Sequence, residues 1–232
     1  MQLAIFDIDG TIVYGHSTER RFAAWLWRRG ILRYRGVAAF TGFLLRYLPQ
    51  YGRHTAKKNK AWLAGLPLAL VEEEASRFVA EEVRQWLVPA VVTRLRDHLA
   101  AGDRVVLLSG TLDCVAVALG KQLGVSDCVG TTCCIADGVF LSKPPQRHPF
   151  GNSKRELLGE LCAEFSISHN DVIAYGDSWH DVRLLDAVGT PVAVNPDDRL
   201  RRVAEERGWE ILQAGLAADA ATVVPPGNQN ER

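Results

Sequence analysis

From Leu99 onward, short apolar runs rich in β-branched residues alternate with segments of helical periodicity, an order that few folds accept. DRVVLLSG (103–110) reads as a strand, and TLDCVAVALGKQLG (111–124) as a helix stopped by Gly124. CVGTTCCIADGVFLS (128–142) reads as a strand and then a hairpin turning at Asp137-Gly138. SKRELLGELCAEF (153–165) reads as a helix in which Ser153 and Glu156 fit a capping box. DVIAYGD (171–177) is a strand, and a helix follows from about Trp179 to Val188. PVAVN (191–195), a helix over 197–207 and WEIL (209–212) continue the series. Repeated strand–helix units call for an α/β fold, a doubly wound parallel sheet with helices on both faces.

The stretch QLAIFDIDGTIVYG (2–15) supplies one more strand, and after it the alternation stops. Residues 14–95 read as helices without strands, interrupted at Gly30, Gly36, Pro49, Gly52, Gly65 and Pro67. The expected organisation is therefore a core built from 1–13 and 96–213, a helical cap over 14–95 inserted after the first strand, and a loose tail over 214–232.

A net charge of zero, 27 basic against 27 acidic residues, conceals a strong asymmetry. From Arg20 to Val71 there are eleven Lys or Arg and no acid, so the remainder carries 16 cations against 27 acids. Nine of the 19 aromatic residues interleave with those cations. The bland reading is a solvated helical face balanced by an acidic core. The sharper one is a surface for an anionic, partly apolar partner such as an anionic membrane. GVAAFTGFLLRYL (36–48) is too short to span a bilayer, which takes about 20 apolar residues, but long enough to lie on one. No nucleic-acid-binding motif accompanies the charge, so nucleic acid is not an expected partner. The five cysteines lack paired zinc spacing, and no basic leader precedes the first strand, so reduced thiols and a cytoplasmic location are expected, with membrane-surface association as an addition.

In open α/β sheets, ligands sit beyond the carboxyl ends of the strands. Three strands here end in polar or acidic groups: Asp7-Ile8-Asp9, Ser109-Gly110-Thr111 and Gly176-Asp177-Ser178. Asp7 and Asp9 are two apart, so on extended backbone they face the same way. Asp177 and Asp181 are four apart at a helix start and share a face. Four carboxylates at one point repel each other strongly, and a hard cation such as Mg²⁺ removes that cost while leaving room for phosphate oxygen. Ser109 and Gly110 precede a helix start, where free N–H groups favour an anion. Lys154 and Arg155 occupy a first helical turn, where a cation costs ~0.3–1 kcal/mol unless an anion reverses the sign. A carboxylate can attack phosphorus, and a second can move the protons.

DIDGT, SGT, a lone lysine and GDSWHD, in that order, resemble the four motifs of the haloacid dehalogenase superfamily of phosphatases. The helical insertion resembles the cap of the subfamily that contains phosphoserine phosphatases. The resemblance implies Asp7 as nucleophile and Asp9 as acid/base. It implies Ser109, Gly110 and Lys154 around the phosphoryl group. Mg²⁺ would be held by Asp7, the Asp9 backbone carbonyl, Asp177 and Asp181. It also implies a glutamate nine residues after the nucleophile in phosphoserine phosphatases; here His16 stands there, and the nearest acid is Glu19. His16, Arg147 and His148 are further loop candidates for touching substrate, against the blander reading that loop residues of these types are simply solvated. With a basic cap lacking that acid, the first expectation for substrate is an amphiphilic or lipid phosphate, such as a lysophospholipid or phosphatidylglycerol phosphate. The alternatives are a small soluble metabolite such as phosphoserine or a sugar or polyol phosphate, and a catalytically idle binding protein on the same fold.

Overall fold

The computed structural model describes residues 1–15, 17–52 and 55–215. Strand β1 (Leu3–Phe6) is wholly buried and wholly apolar, as a central parallel strand must be. Its alternate residues serve opposite faces: Ala4 and Phe6 enter one core cluster, Leu3 and Ile5 the other. The strand β2 (Arg104–Leu112) divides in the same way, with Val105 and Leu107 against Val106 and Leu108.

Four helices follow β1: α1 (Thr18–Arg28), α2 (Tyr34–Tyr51), α3 (Thr55–Lys58) and, after a 3₁₀ turn at Ala61–Leu63, α4 (Leu68–Glu81). A second 3₁₀ turn at Val83–Trp86 leads into α5 (Pro89–Ala100) and then β2. After β2 come α6 (Asp113–Leu123), β3 (Asp127–Thr131) and a small hairpin of β4 (Ile135–Ala136) and β5 (Val139–Phe140). The remaining elements are α7 (Asn152–Phe165), β6 (Val172–Gly176), α8 (Val182–Leu185), β7 (Thr190–Val194), α9 (Asp198–Arg207) and β8 (Glu210–Leu212).

The six-stranded sheet has the order β3-β2-β1-β6-β7-β8, with every pair parallel. Chain order reverses across β1 and β6, and the crevice beyond their carboxyl ends is where such sheets bind ligands. Phe6 is in register with Leu107 on one side and Tyr175 on the other, so Asp7, Ser109 and Asp177 follow one or two residues beyond a single aligned row.

Several local expectations are corrected. The second strand runs to Leu112, so Ser109 and Gly110 lie inside its irregular carboxyl end, and the helix begins only at Asp113. Ser153 is not an N-cap: the cap is Gly151, and the Ser153 hydroxyl bonds backward to His148 and Phe150. The helix expected over 179–188 is a 3₁₀ turn (Trp179–Asp181) plus the single turn α8, and the capping box sits there, between Ser178 and Asp181. The α5 helix runs unbroken across the expected boundary at 95/96. It packs on the sheet through Val91, Val92 and Leu95, and Arg94 pairs with Glu210 on β8. The hairpin forms as expected, with Asp137 at φ 49° and Gly138 at φ 72° fitting a tight turn of positive-φ residues.

The cap shares its apolar base with the core. Phe22, Trp25, Leu26, Val71, Ala75 and Phe78 belong to the same buried cluster as Phe6, Leu107 and Leu119. The hairpin ties the cap loop down through backbone bonds from Gly65 N to Phe140 O (2.9 Å) and from Leu68 N to Gly138 O (2.8 Å). The tail beyond residue 215 lies outside the described residues.

Candidate active site

Two glycines make the site sterically feasible. Gly10 takes φ +80°, and a Cβ on it would lie 2.0 Å from Asp177 Oδ2. No other residue leaves room there for the carboxylate that follows β6. Gly176, the last residue of β6, does the same service for Asp181, since a Cβ would stand 2.8 Å from Asp181 Cβ. The backbone after β1 is pinned by Asp7 N donating to Tyr175 O (3.0 Å) and Val13 N donating to Ile8 O (2.9 Å).

Carboxylate oxygens of Asp7, Asp177 and Asp181 lie within 4.8 Å of one another. Lys154, in the first turn of α7, reaches into this cluster. Its Nζ stands 2.8 Å from Asp7 Oδ1 and donates to Asp181 Oδ1 at 2.6 Å. Asp181 is buried, and its second oxygen accepts from the Ser178 amide and hydroxyl. So the lysine at the unfavourable end of a helix is paired with two buried carboxylates. The Asp9 carboxylate is not one of the three clustered carboxylates; its Oδ1 accepts from Thr18 N at 2.6 Å, at the start of cap helix α1.

Charge in this pocket is frustrated. Burial, followed by the charges of Asp7 and Asp181, pushes Asp177 up to about 9. Burial pushes Asp7 up to about 7, despite the opposing charge of Lys154. Asp9 is also raised, by burial, with the Thr18 hydrogen bond opposing. For Lys154, burial works against the ammonium, but Asp181 and Asp7 outweigh it and hold the proton firmly. An all-oxygen donor set, strained by mutual repulsion, with a buried Asp7 oxygen lacking a well-aligned hydrogen bond, suits a hard divalent cation.

These groups open into a cavity of about 410 Å³ under the cap, lined also by Ser109 and Gly110. Ser109 is buried, and its Oγ accepts from Thr111 N (3.3 Å). The Thr131 hydroxyl donates to Gly110 O at 2.6 Å and so accepts from His148 Nδ1 at 2.8 Å, which fixes the imidazole tautomer. Burial, with Lys60, Lys58 and Lys57 adding to it, pushes His148 down to about 3, so the ring is neutral. The cap contributes Glu19, Arg20, Lys57 and Lys60 to the cavity wall. Glu19 is ion-paired with the buried Lys60. Lys57 lies over the Phe150 ring at 3.9 Å and 3.4 Å from His180 Nε2, a direct contact between cap and core.

Asp7, Asp9, Ser109, Gly110, Lys154, Asp177 and Asp181 all line this one cavity. His148 does too, whereas Arg147 is turned outward toward Glu160 (3.9 Å), and His16 lies outside the described residues. The Glu19–Lys60 pair and the anchoring of Asp9 by Thr18 escaped sequence reading. The first joins positions 41 residues apart, beyond any local pattern; the second was signalled only by Ser17-Thr18 opening a helix.

A model of haloacid dehalogenase-like hydrolases matches residues 4–186. A Mycobacterium tuberculosis protein named as a phosphoserine phosphatase is 31% identical over 96% of this chain and 74% of its own length. A histidinol-phosphatase of Neisseria meningitidis is 27% identical over 90% of this chain and 97% of its own. Among solved structures, a Bordetella pertussis protein of unknown function is similar with a TM-score of 0.76 at 26% identity, over 91% of this chain and 97% of that one. A substrate-bound phosphoserine phosphatase shares the fold, with a TM-score of 0.62 at 16% identity over 96% and 98% of the two chains. Motifs, topology and relatives converge: the chain belongs to the haloacid dehalogenase-like hydrolases and is a phosphatase of that family.

Proposed function

We propose that the protein hydrolyses a small, soluble phosphate monoester through a phosphoryl group carried transiently on Asp7, in a Mg²⁺-dependent reaction. The observation that carries this reading is the convergence of Asp7, Lys154, Asp177 and Asp181 at the floor of one cap-roofed cavity. Asp7, the Asp9 carbonyl and Asp177 would hold the ion, with Asp181 beside them. Bound there, it would supply the positive charge that keeps Asp7 ionised and screens the phosphoryl oxygens. Lys154 and the donors at Ser109 and Gly110 position the phosphoryl group and stabilise its charge. The Asp7 oxygen forms a bond to phosphorus as the ester P–O bond breaks. Asp9, whose pKa burial raises, gives its proton to the leaving oxygen. Asp9 then takes a proton from water, which attacks phosphorus and releases phosphate and free Asp7.

The relatives favour a small soluble substrate over the amphiphilic phosphate suggested by the basic insertion. The cavity agrees, since about 410 Å³ lies at the small end of ligand sites. A wall carrying Glu19 beside Lys60 and Arg20 suits a head group with both an ammonium and an anion. Phosphoserine and histidinol phosphate are the first compounds to try. A panel of soluble amino-alcohol, sugar and lipid phosphates tests the reading. The expected result is kcat/KM at least about tenfold higher for an amine-bearing monoester than for glycerol phosphate. Preference for a lysophospholipid phosphate contradicts it.

A further inference from the structure

Helix α2 carries a face that the phosphatase site does not use. Tyr34 and Leu45 are each 75% exposed, Val37 56% and Leu48 54%. Residues 34, 38, 41, 45 and 48 follow the four-three spacing of a single helical face, an apolar stripe of Tyr34, Ala38, Thr41, Leu45 and Leu48. The opposite face is fixed to the protein. Phe43 is buried, Phe40 O accepts from Asn59 Nδ2 (2.9 Å), and a Cβ on Gly36 would stand 2.9 Å from Trp62 O. The stripe is therefore held outward by packing on the segment that carries Lys60.

Its surroundings select the occupant. Arg35 and Arg46 are eleven residues apart, about three turns, and border the stripe on the same side. Both are exposed, and neither has a carboxylate partner among the described residues. No acid occurs anywhere between Arg20 and Val71. A second copy seated antiparallel on this stripe would set arginine against arginine with no counter-charge. An anionic lipid surface accepts both features at once: acyl chains for the stripe and head-group charge for the arginines. None of the described helices is long and apolar enough to cross a bilayer, so such contact is peripheral.

We propose that α2 docks the protein on anionic lipid bilayers, with Tyr34, Leu45 and Leu48 entering the interface and Arg35 and Arg46 on head groups. The inference is independent of substrate choice. The test is co-sedimentation of the full chain with phosphatidylcholine vesicles, with and without phosphatidylglycerol, at low and high salt. Expected is binding only to the anionic vesicles, weakened by salt. Leu45→Glu with Leu48→Glu should abolish binding while hydrolysis of a soluble aryl phosphate stays at the wild-type rate. Arg35→Gln with Arg46→Gln, which leaves the apolar face intact should the first pair misfold, should weaken binding about thirtyfold. Equal binding to neutral vesicles, no binding at low salt, or retained binding in the arginine variant overturns the proposal. So does a dimer in light scattering that the leucine variant splits, which makes the stripe a self-interface.

Discussion

The floor and the roof of the cavity are built on different principles. The floor is made of groups fixed by backbone. Asp7 and Asp177 follow adjacent strands, Gly10 leaves space for Asp177 and Gly176 for Asp181, and a buried lysine on a helix start bridges Asp7 and Asp181. The roof is made of side chains that find one another across sequence: Glu19 with Lys60, Lys57 with Phe150 and His180. A backbone-fixed arrangement can hold charges in mutual conflict, because the strands will not let them separate. A side-chain arrangement relaxes by pairing, so it is the part free to be retuned for a different substrate. On this view the floor sets the reaction and the roof sets what is admitted.

The largest expected effect comes from the floor. Asp7→Asn keeps the shape and removes the attacking oxygen, so kcat for an aryl phosphate should fall by about 10⁴-fold or more. Removing a buried charge from a repelling group should leave the melting temperature unchanged or higher. A fall in melting temperature together with retained turnover would break the distinction between floor and roof. Gly10→Ala comes next. With φ +80° and Asp177 in the way, even a methyl group should cost about 1–3 kcal/mol of stability and lower activity well over tenfold. A neutral outcome would mean that Asp177 is free to move.

Metal removal sharpens the electrostatic side. Asp7 and Asp177 have folded-state pKa values of about 7 and 9 against 3.8 in an unfolded chain, so the metal-free fold binds more protons than the unfolded state between these limits. The contribution of these two groups to stability is therefore fully present below about pH 4 and is lost as pH rises toward 9. Added Mg²⁺ should raise the melting temperature more at pH 8 than at pH 5, because Asp7 is then largely ionised and the ion has fewer protons to displace from Asp7 and Asp177. A metal effect that shrinks with rising pH would contradict the charge assignment. The smallest effect belongs to the roof. Lys60→Met leaves Glu19 unpaired and should shift KM by about tenfold while kcat changes less than about threefold. An equal collapse in kcat would show that roof and floor act as one unit.

The same division governs what the sequence discloses. Local pattern was enough for the sheet, because central parallel strands are continuous apolar runs such as LAIF and DVIAYG, and their carboxyl ends carry the chemistry. The strand-end rule and the motif resemblance together place Asp7, Ser109, Lys154 and Asp177 as neighbours, and all four line one cavity. Local pattern misplaced the end of β2, because Ser109-Gly110-Thr111 carries helix-start chemistry while the backbone stays extended to Leu112. It placed a cap at Ser153 that belongs to Gly151, since a positive-φ glycine and a serine two residues later are equally plausible starts. The contents of the roof were hidden for a different reason: a Glu19–Lys60 pair has no sequence spacing to read.

The most direct test of the central claim is to quench the enzyme in acid during turnover of an aryl phosphate with Mg²⁺ and map phosphorylation by peptide mass spectrometry. A single phosphoryl group on Asp7, absent in Asp7→Asn, is the predicted result. Turnover with no phosphorylated peptide, or with the phosphoryl group on any other residue, would contradict the account.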